Sequence, residues 1–280
     1  MPKITAPDLQ KALSRRFGDA PRLESDTSKL RALARMATRG SCRSFLDKPV
    51  PAEWVQAICA TALSAPSKSD LQQRDIILLQ SQDTRAKLAA LVKGQAWVAD
   101  APMIAVICGN NRRQRLLHDW HGVPFANDHL DAFFNATGDA AIALGAFVTA
   151  AEAIGLGCCP ISGVRNDPAA VADLLGLPDH VFPFAGIAFG FPAAPSQISM
   201  RLPLRVTCHV DRYQEDDLRF TVSEYNATRA AAQPYETQRD PDRFPPADPY
   251  TWAEDKIRQY SLPERSNFGD YIRGCGFNLD

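Results

Sequence analysis

No stretch of about 18 consecutive apolar residues occurs anywhere in this chain, so no transmembrane helix is expected. Excess charge of either sign is also missing. The 31 Lys and Arg face 32 Asp and Glu, for a net charge of −1, which leaves no electrostatic footprint for nucleic acid or an anionic membrane and favours a small-molecule partner. Paired cysteine motifs are lacking too. The seven cysteines (Cys42, Cys59, Cys108, Cys158, Cys159, Cys208 and Cys275) are odd in number, hold no CxxC and lie mostly in apolar stretches. This argues against a disulfide framework and for free thiols in a reducing cytoplasm. Residues 1–25 are polar and broken by Pro and Gly, without the apolar core of a secretory signal. Neither GxSxG nor HExxH occurs, and no Cys/His catalytic signature stands out. No internal repeat or low-complexity tract is found.

What is present is an ordinary globular composition, 45% hydrophobic and 22% charged over 280 residues, enough for one large core. Helical periodicity predicts short helices over 8–17 and 27–38, the second carrying Leu30, Leu33, Ala34 and Ala37 on one face. A third helix is expected over 52–63. RDIILLQ reads as a buried strand, TRAKLAALV as a helix and MIAVICG as a second strand. A polar, aromatic-rich insert over 110–127 follows, its HDWHGVPFANDH stretch interrupted by Gly and Pro. Residues 128–154 then read as one long Ala-dense helix with Phe133, Phe134, Ile142, Leu144 and Phe147, suited to a core or a subunit interface. GLGCCPISGVR starts with a helix-ending Gly, passes through a short strand and turns again. AAVADLLG is a small helix and VFPFAGIAFG a strand. After Tyr213 the chain is proline-rich and charged with no strand signal, too polar to build its own core and expected to pack on the body or on another subunit. Mixed strands and helices with one main body indicate an α+β domain with an appended arm.

One segment carries chemistry. Arg39-Gly-Ser41-Cys-Arg43 sets two guanidiniums and a hydroxyl within five residues. In an extended segment alternate residues point the same way, so Arg39, Ser41 and Arg43 can converge on one anion, with forked, charge-assisted bonds to phosphate. A solvated basic turn is the alternative reading of that segment alone. Arg201, far along the chain in SMRLP, would complete a cradle of three arginines and a hydroxyl around a monophosphate if the two ends meet.

RGSCRSF with KPVP after it, APSKSDLQ, GLGCCPISGVR, LPDHVFPFAGIAFGFP and RLP occur in the order and spacing of the FMN-dependent nitroreductase family. Each piece is weakly specific alone, and five in register are strong. The chain resembles this family over roughly residues 36–213, most closely its NADPH-nitroreductase and flavin-reductase branch, with weaker similarity around TWAEDKIR and DYIRGCGF. The resemblance implies a nitroreductase-like α+β fold: a central, mostly antiparallel sheet flanked by helices in an intertwined homodimer whose flavin sites draw on both subunits. It divides the chain into an N-terminal helical extension (1–38), an FMN-binding core (39–213) and a C-terminal arm (214–280) packing on the dimer.

By the same resemblance Arg39, Gly40, Ser41 and Arg43 bind the FMN phosphate and ribityl chain, with Arg201 at the phosphate. Ser67, Ser69 and Gln72 border the ring and ribityl, and Gln95 contacts the flavin or ribityl. Pro160, Ile161, Ser162 and Gly163 lie along the pyrimidine edge and N5, where their backbone N–H groups would stabilise charge on reduced flavin. Four positions depart from the pattern. Gly40 stands where a second arginine is common, Asp70 for asparagine, Ser162 for glycine and Ser199 for a phosphate-binding lysine. Losing two cations weakens phosphate binding, each charge-assisted bond contributing roughly 1.5–3 kcal/mol.

The implied activity is hydride transfer from NADPH or NADH through flavin N5 to a nitroaromatic, quinone or similar electron-poor acceptor, with ping-pong kinetics and no catalytic side chain. The alternative is a non-reductase flavoprotein of the same superfamily that stores flavin, destroys it or dehalogenates. Arg239 and Arg265 are candidates for the 2′-phosphate of NADPH, or else ordinary tail charges. His118, His121 and His129 lack a recognised metal spacing, so Trp120, His121, Phe125 and His129 read as a lid over the flavin. GLGCCPISG lacks GxGxxG, which disfavours a Rossmann dehydrogenase, and Cys158 and Cys159 read as packing thiols rather than redox groups.

Overall fold

A computed structural model describes residues 6–18, 31–92 and 94–280. The chain divides into two compact units, one of residues 1–40 and 197–264 and a larger one of 41–196 and 265–280.

In the larger unit β1 (Arg74–Leu79), β2 (Met103–Asn110), β3 (Gly157–Ile161) and β4 (Val181–Gly190) form an antiparallel sheet in the order β1-β2-β4-β3. β2 is almost continuously apolar because both its faces are covered, and the two-residue period of a strand sorts its side chains. Ile104, Val106 and Cys108 enter one core with Leu88 of α4 (Gln82–Leu91) and Val171 of α7 (Pro168–Leu175). Ala105 enters the other, with Val55, Ile58 and Ala62 of α3 (Ala52–Leu63) and Phe147 and Ala151 of α6 (Leu130–Ala153). β4 is sorted likewise, Ala188 to the first core and Ile187 and Phe189 to the second. A one-residue slip would exchange these sets, so burial on both faces fixes the register.

Along α6 a buried stripe of Ala132, Ala136, Ala140, Ala143, Phe147 and Ala151 repeats at helical spacing. Its small side chains let the helix lie close on the sheet. Among the described residues only α6 is long and apolar enough to cross a membrane, and this stripe marks it as a core helix. On its other side Leu130, Phe134 and Ile142 are 50%, 69% and 43% exposed.

Two expectations are corrected in this unit and the next. The insert over 110–127 is not irregular throughout: Arg112–His121 form a helix, α5, ended by Gly122 in the left-handed conformation. None of its residues is buried, so its charged sequence carries no apolar stripe by which to recognise it. The end of the chain joins the larger unit through α11 (Phe268–Gly274), with Ile272 and Phe277 packed against Phe133, Ala136 and Phe182. The Asp280 carbonyl accepts from the Leu130 N–H at 3.2 Å.

The smaller unit holds α1 (Ala6–Phe17), α2 (Arg31–Thr38), α8 (Leu204–Thr207), α9 (Leu218–Ala232) and α10 (Trp252–Tyr260). α1 and α2 pack through Leu9, Ala12, Ala34 and Ala37. The expected start of the second helix, with Leu30, lies outside the described residues, and Leu33 is exposed. The arm, which reads as too polar for a core, builds one from ions. Arg258 is 1% exposed and donates to the carbonyls of Arg239 (3.1 Å) and Pro245 (2.7 Å) and to Glu254 (2.8 Å). Its guanidinium lies over Phe244 and Tyr250. Beside it buried Asp255 accepts from the Tyr250 hydroxyl (3.0 Å) and Lys256 (2.6 Å). Hydrogen-bonded charges stand in for part of the apolar packing here.

Candidate functional site

The segment after Gly40 adopts the alternation its sequence predicts. Cys42 is buried while Ser41 and Arg43 on either side are exposed. The Cys42 N–H donates to the Cys158 carbonyl at 3.0 Å, fastening the segment along β3. Gly157 makes this approach possible, since a Cβ there would stand 2.6 Å from the Cys42 Cβ and Sγ. Farther on, Leu46 N–H donates to Phe191 O (2.8 Å) and Ala193 N–H to Ser44 O (3.0 Å). The Arg43 guanidinium lies 6.0 Å from the Trp97 ring centroid. Burial pushes the Cys42 thiol up, with the Ser44 carbonyl as its hydrogen-bond acceptor. That makes it a packing group rather than a nucleophile.

At the far end of β3, Pro160 and Ser162 are exposed while Ile161 and Gly163 are buried, the last two residues of the set opening a tight turn over Ser162–Arg165. A Cβ on Gly163 would lie 2.6 Å from Val92 Cγ1 and 3.3 Å from Gln95 Nε2. The side chain of Gln95 therefore rests against this turn. Cys158 and Cys159 are both buried.

Ser67, Ser69 and Gln72 sit in the loop that enters β1. Ser69, Asp70 and Gln72 have φ of 48°, 57° and 52°, a left-handed conformation costing non-glycine residues of order 1–2 kcal/mol each. The loop is held in that shape from within and below. Gln72 N–H donates to Ser67 Oγ (3.1 Å) and Gln72 Nε2 to Asp70 Oδ1 (3.1 Å). Asp139 of α6, 2% exposed, accepts from the N–H of Lys68 (3.0 Å) and of Gln73 (2.8 Å), and lies 3.8 Å from buried Arg74. α5 braces the other side, Arg113 donating to the carbonyls of Gln72 (2.5 Å) and Arg74 (3.1 Å) and Gln114 to that of Leu71.

In the smaller unit Arg39 and Arg201 are both tied to Arg16, with Gly40 following Arg39 in the chain. The Arg16 guanidinium donates to Ala37 O (2.6 Å), Ser199 O (3.3 Å) and Arg39 O, and the Arg201 N–H donates to Arg16 O (2.6 Å). Arg16 is only 7% exposed. Its signal was its position, on the same face of α1 as buried Leu9 and Ala12. Arg201 is exposed and donates to the Ser199 hydroxyl at 2.6 Å.

The other candidates serve their own units. Arg239 Nε stands 3.5 Å from Asp255, and Arg265 Nε donates to Asn166 at 2.9 Å. In the insert the His118 ring contacts the carbonyls of Val123 and Pro124, and Phe125 packs on His118 and on the Arg115 guanidinium. His129 caps α6, accepting from the Asp131 N–H. Trp120 is 71% exposed.

An antiparallel sheet covered on both faces by helices, with an exposed serine–arginine segment along its edge strand, defines an α+β protein. Comparison with known proteins gives the family. The nitroreductase family model matches residues 36–191, and the model of that family's C-terminal domain matches residues 199–280. Among curated relatives, an FMN reductase [NAD(P)H] of Bacillus subtilis is 35% identical over 66% of this chain and 76% of its own length. An FMN reductase (NADPH) of the same organism is 30% identical over 85% and 94%. An oxygen-insensitive NADPH nitroreductase of Salmonella typhimurium is 33% identical over 81% and 90%. Among solved structures, NfrA2 of B. megaterium superposes with a TM-score of 0.81 at 30% identity, covering 89% of this chain and 98% of that one. The NADPH:FMN oxidoreductase of Vibrio harveyi complexed with NAD+ gives 0.76 at 26%, covering 88% and 97%. The chain belongs to the nitroreductase family, and its fold is the expected nitroreductase fold.

Proposed function

We propose that Ser41 and Arg43 hold the phosphate of FMN in what is an NAD(P)H-dependent FMN oxidoreductase of this family. The donor set fits the group. A hydroxyl and a guanidinium are exposed on the same side of one segment, and both bond phosphate oxygens as charge-assisted or neutral donors. Gln95 and the Pro160–Gly163 turn border the ring, Gln95 packed on Gly163 and the turn's backbone facing the edge where negative charge gathers on reduction. FMN, when bound, supplies the two-electron hydride chemistry at N5.

The observation that carries this reading is where the two parts of the site lie. Ser41, Arg43 and the Pro160–Gly163 turn belong to the β3 edge, while Ser67, Ser69 and Gln72 lead into β1, the opposite edge of the sheet. Three strand spacings of about 4.8 Å separate those edges. On this reading one copy presents two half-sites, and a second copy completes each by bringing its Ser67–Gln72 loop to the other's β3 edge. Leu130, Phe134 and Ile142, exposed on α6, supply apolar surface for such a cytoplasmic homodimer. One open face serves the nicotinamide and then an electron-poor acceptor, a nitroarene or quinone, so the kinetics are ping-pong.

The test is a visible spectrum of the purified full chain followed by stopped-flow mixing with NADPH and with NADH. Yellow protein that bleaches with a nicotinamide and regains colour with a quinone supports the reading. Parallel double-reciprocal lines support the shared face, and intersecting lines overturn it. Colourless protein that gains no absorbance with added FMN sinks the whole assignment.

A further inference from the structure

We infer that Asp139 is a positioning residue for the flavin site: from inside the core it sets the left-handed loop that presents Ser69 and Gln72. It rests on the reading of that loop as flavin-facing.

Asp139 is the one carboxylate in the buried stripe of α6, 2% exposed among alanines. A carboxylate there needs a reason, because an ion inside a core is costly unless every lone pair is bonded. Its two oxygens go to different ends of one loop, Oδ1 to the N–H of Lys68 and Oδ2 to the N–H of Gln73. Those two N–H groups bracket the residues with positive φ, Ser69, Asp70 and Gln72. Both groups must point down into the core for the loop to close, and an extended loop would turn at least one away. The bidentate grip therefore selects the strained conformer. Arg74, 6% exposed, follows directly and places its guanidinium 3.8 Å from the same carboxylate while donating to Leu63 O and Ala65 O. Charge balance is met inside the core, and the exposed outer side of the loop is left to Ser69 and Gln72. Asp139 grips the backbone N–H groups of Lys68 and Gln73, so its effect on the cofactor is transmitted through backbone shape.

The experiment uses FMN-loaded full-length enzyme. Asp139→Asn keeps the shape but loses the charge and one of the two acceptors. Flavin release is followed by the rise of free-flavin fluorescence on serial dilution, and amide exchange is read in the peptide spanning 67–73. Asp139→Asn is expected to raise the FMN dissociation constant 10- to 100-fold and to speed exchange in that peptide. Gln72→Ala alone is expected to cost 3- to 10-fold, and added to Asp139→Asn to cost less than twofold more. That sub-additivity is what a general loss of stability would not produce. Should Asp139→Asn fail to fold, Asp139→Glu keeps the charge but displaces both acceptors by one methylene from the Lys68 and Gln73 N–H groups, with an expected 3- to 10-fold weakening. Unchanged loop exchange in whichever variant folds overturns the inference. Altered exchange with FMN retention unchanged in both Asp139→Asn and Gln72→Ala instead refutes the flavin-facing reading of the loop, while Asp139's hold on it stands.

Discussion

Replacing Gly157 by alanine tests whether the segment proposed to bind phosphate is placed by its approach to β3. The new Cβ would meet Cys42 Cβ and Sγ at 2.6 Å and Pro192 Cβ at 3.4 Å. Carbon atoms in contact prefer roughly 3.5–4.0 Å, so Cys42 must retreat by about 1 Å. The retreat breaks the Cys42 N–H bond to the Cys158 carbonyl, now 3.0 Å, a loss of about 0.5–1.5 kcal/mol. Overpacking adds about 1–3 kcal/mol. At roughly 2–4 °C per kcal/mol the melting temperature should fall by about 3–18 °C. Ser41 and Arg43 flank Cys42 and move with it. Losing one charge-assisted phosphate bond, about 1.5–3 kcal/mol, weakens FMN roughly 10- to 150-fold. The assays are a thermal scan and flavin release on dilution. Cys42→Gly removes both offending atoms, so adding Gly157→Ala in that background should change FMN retention by less than about twofold, because the two sites are coupled. Wild-type flavin retention in Gly157→Ala alone would refute the reasoning.

Two further outcomes follow from ionisable groups drawn out of water. Burial first, and then the nearby Arg115, hold His180 below the ordinary histidine range, against the opposing pull of Gly276 O, Asp179 and Asp128. The unfolded chain therefore takes up this proton first as pH falls. Stability from His180 is complete above about 6.5, the unfolded value, and is lost as pH drops from there toward the lower folded value. The melting temperature of the wild type should fall more between pH 7.5 and 5 than that of His180→Asn, a residue that tolerates the φ of 63° at this position. Equal slopes would contradict it. In the smaller unit Arg258→Met leaves the Arg239 and Pro245 carbonyls without their donor. The cost is about 3–5 kcal/mol, read as faster proteolysis between residues 233 and 250. Unchanged resistance would mean the arm is held by other contacts.

By itself the sequence determined the elements that bury apolar side chains at a regular period. The helix expected over 52–63 forms as Ala52–Leu63, RDIILLQ contains Arg74–Leu79, and the long helix expected over 128–154 runs Leu130–Ala153. The alternation of Ser41 and Arg43 about Cys42 was equally legible, because an extended backbone has a period of two whatever surrounds it. Tertiary structure decided what periodicity cannot express. α5 has no buried residue, and it acts through the side chains of Arg113 and Gln114 on a loop some forty residues earlier in the chain. Arg16, Asp139 and Arg258 each read as a single charge in a helix. Only the folded chain supplies the carbonyls and N–H groups that make it worthwhile to bury them. The strand order likewise sets the Ser67–Gln72 loop and the Pro160–Gly163 turn on opposite edges of the sheet. Sequence order carries no information on that separation, since which strands become neighbours is fixed by long-range pairing and by the two cores packed on either face.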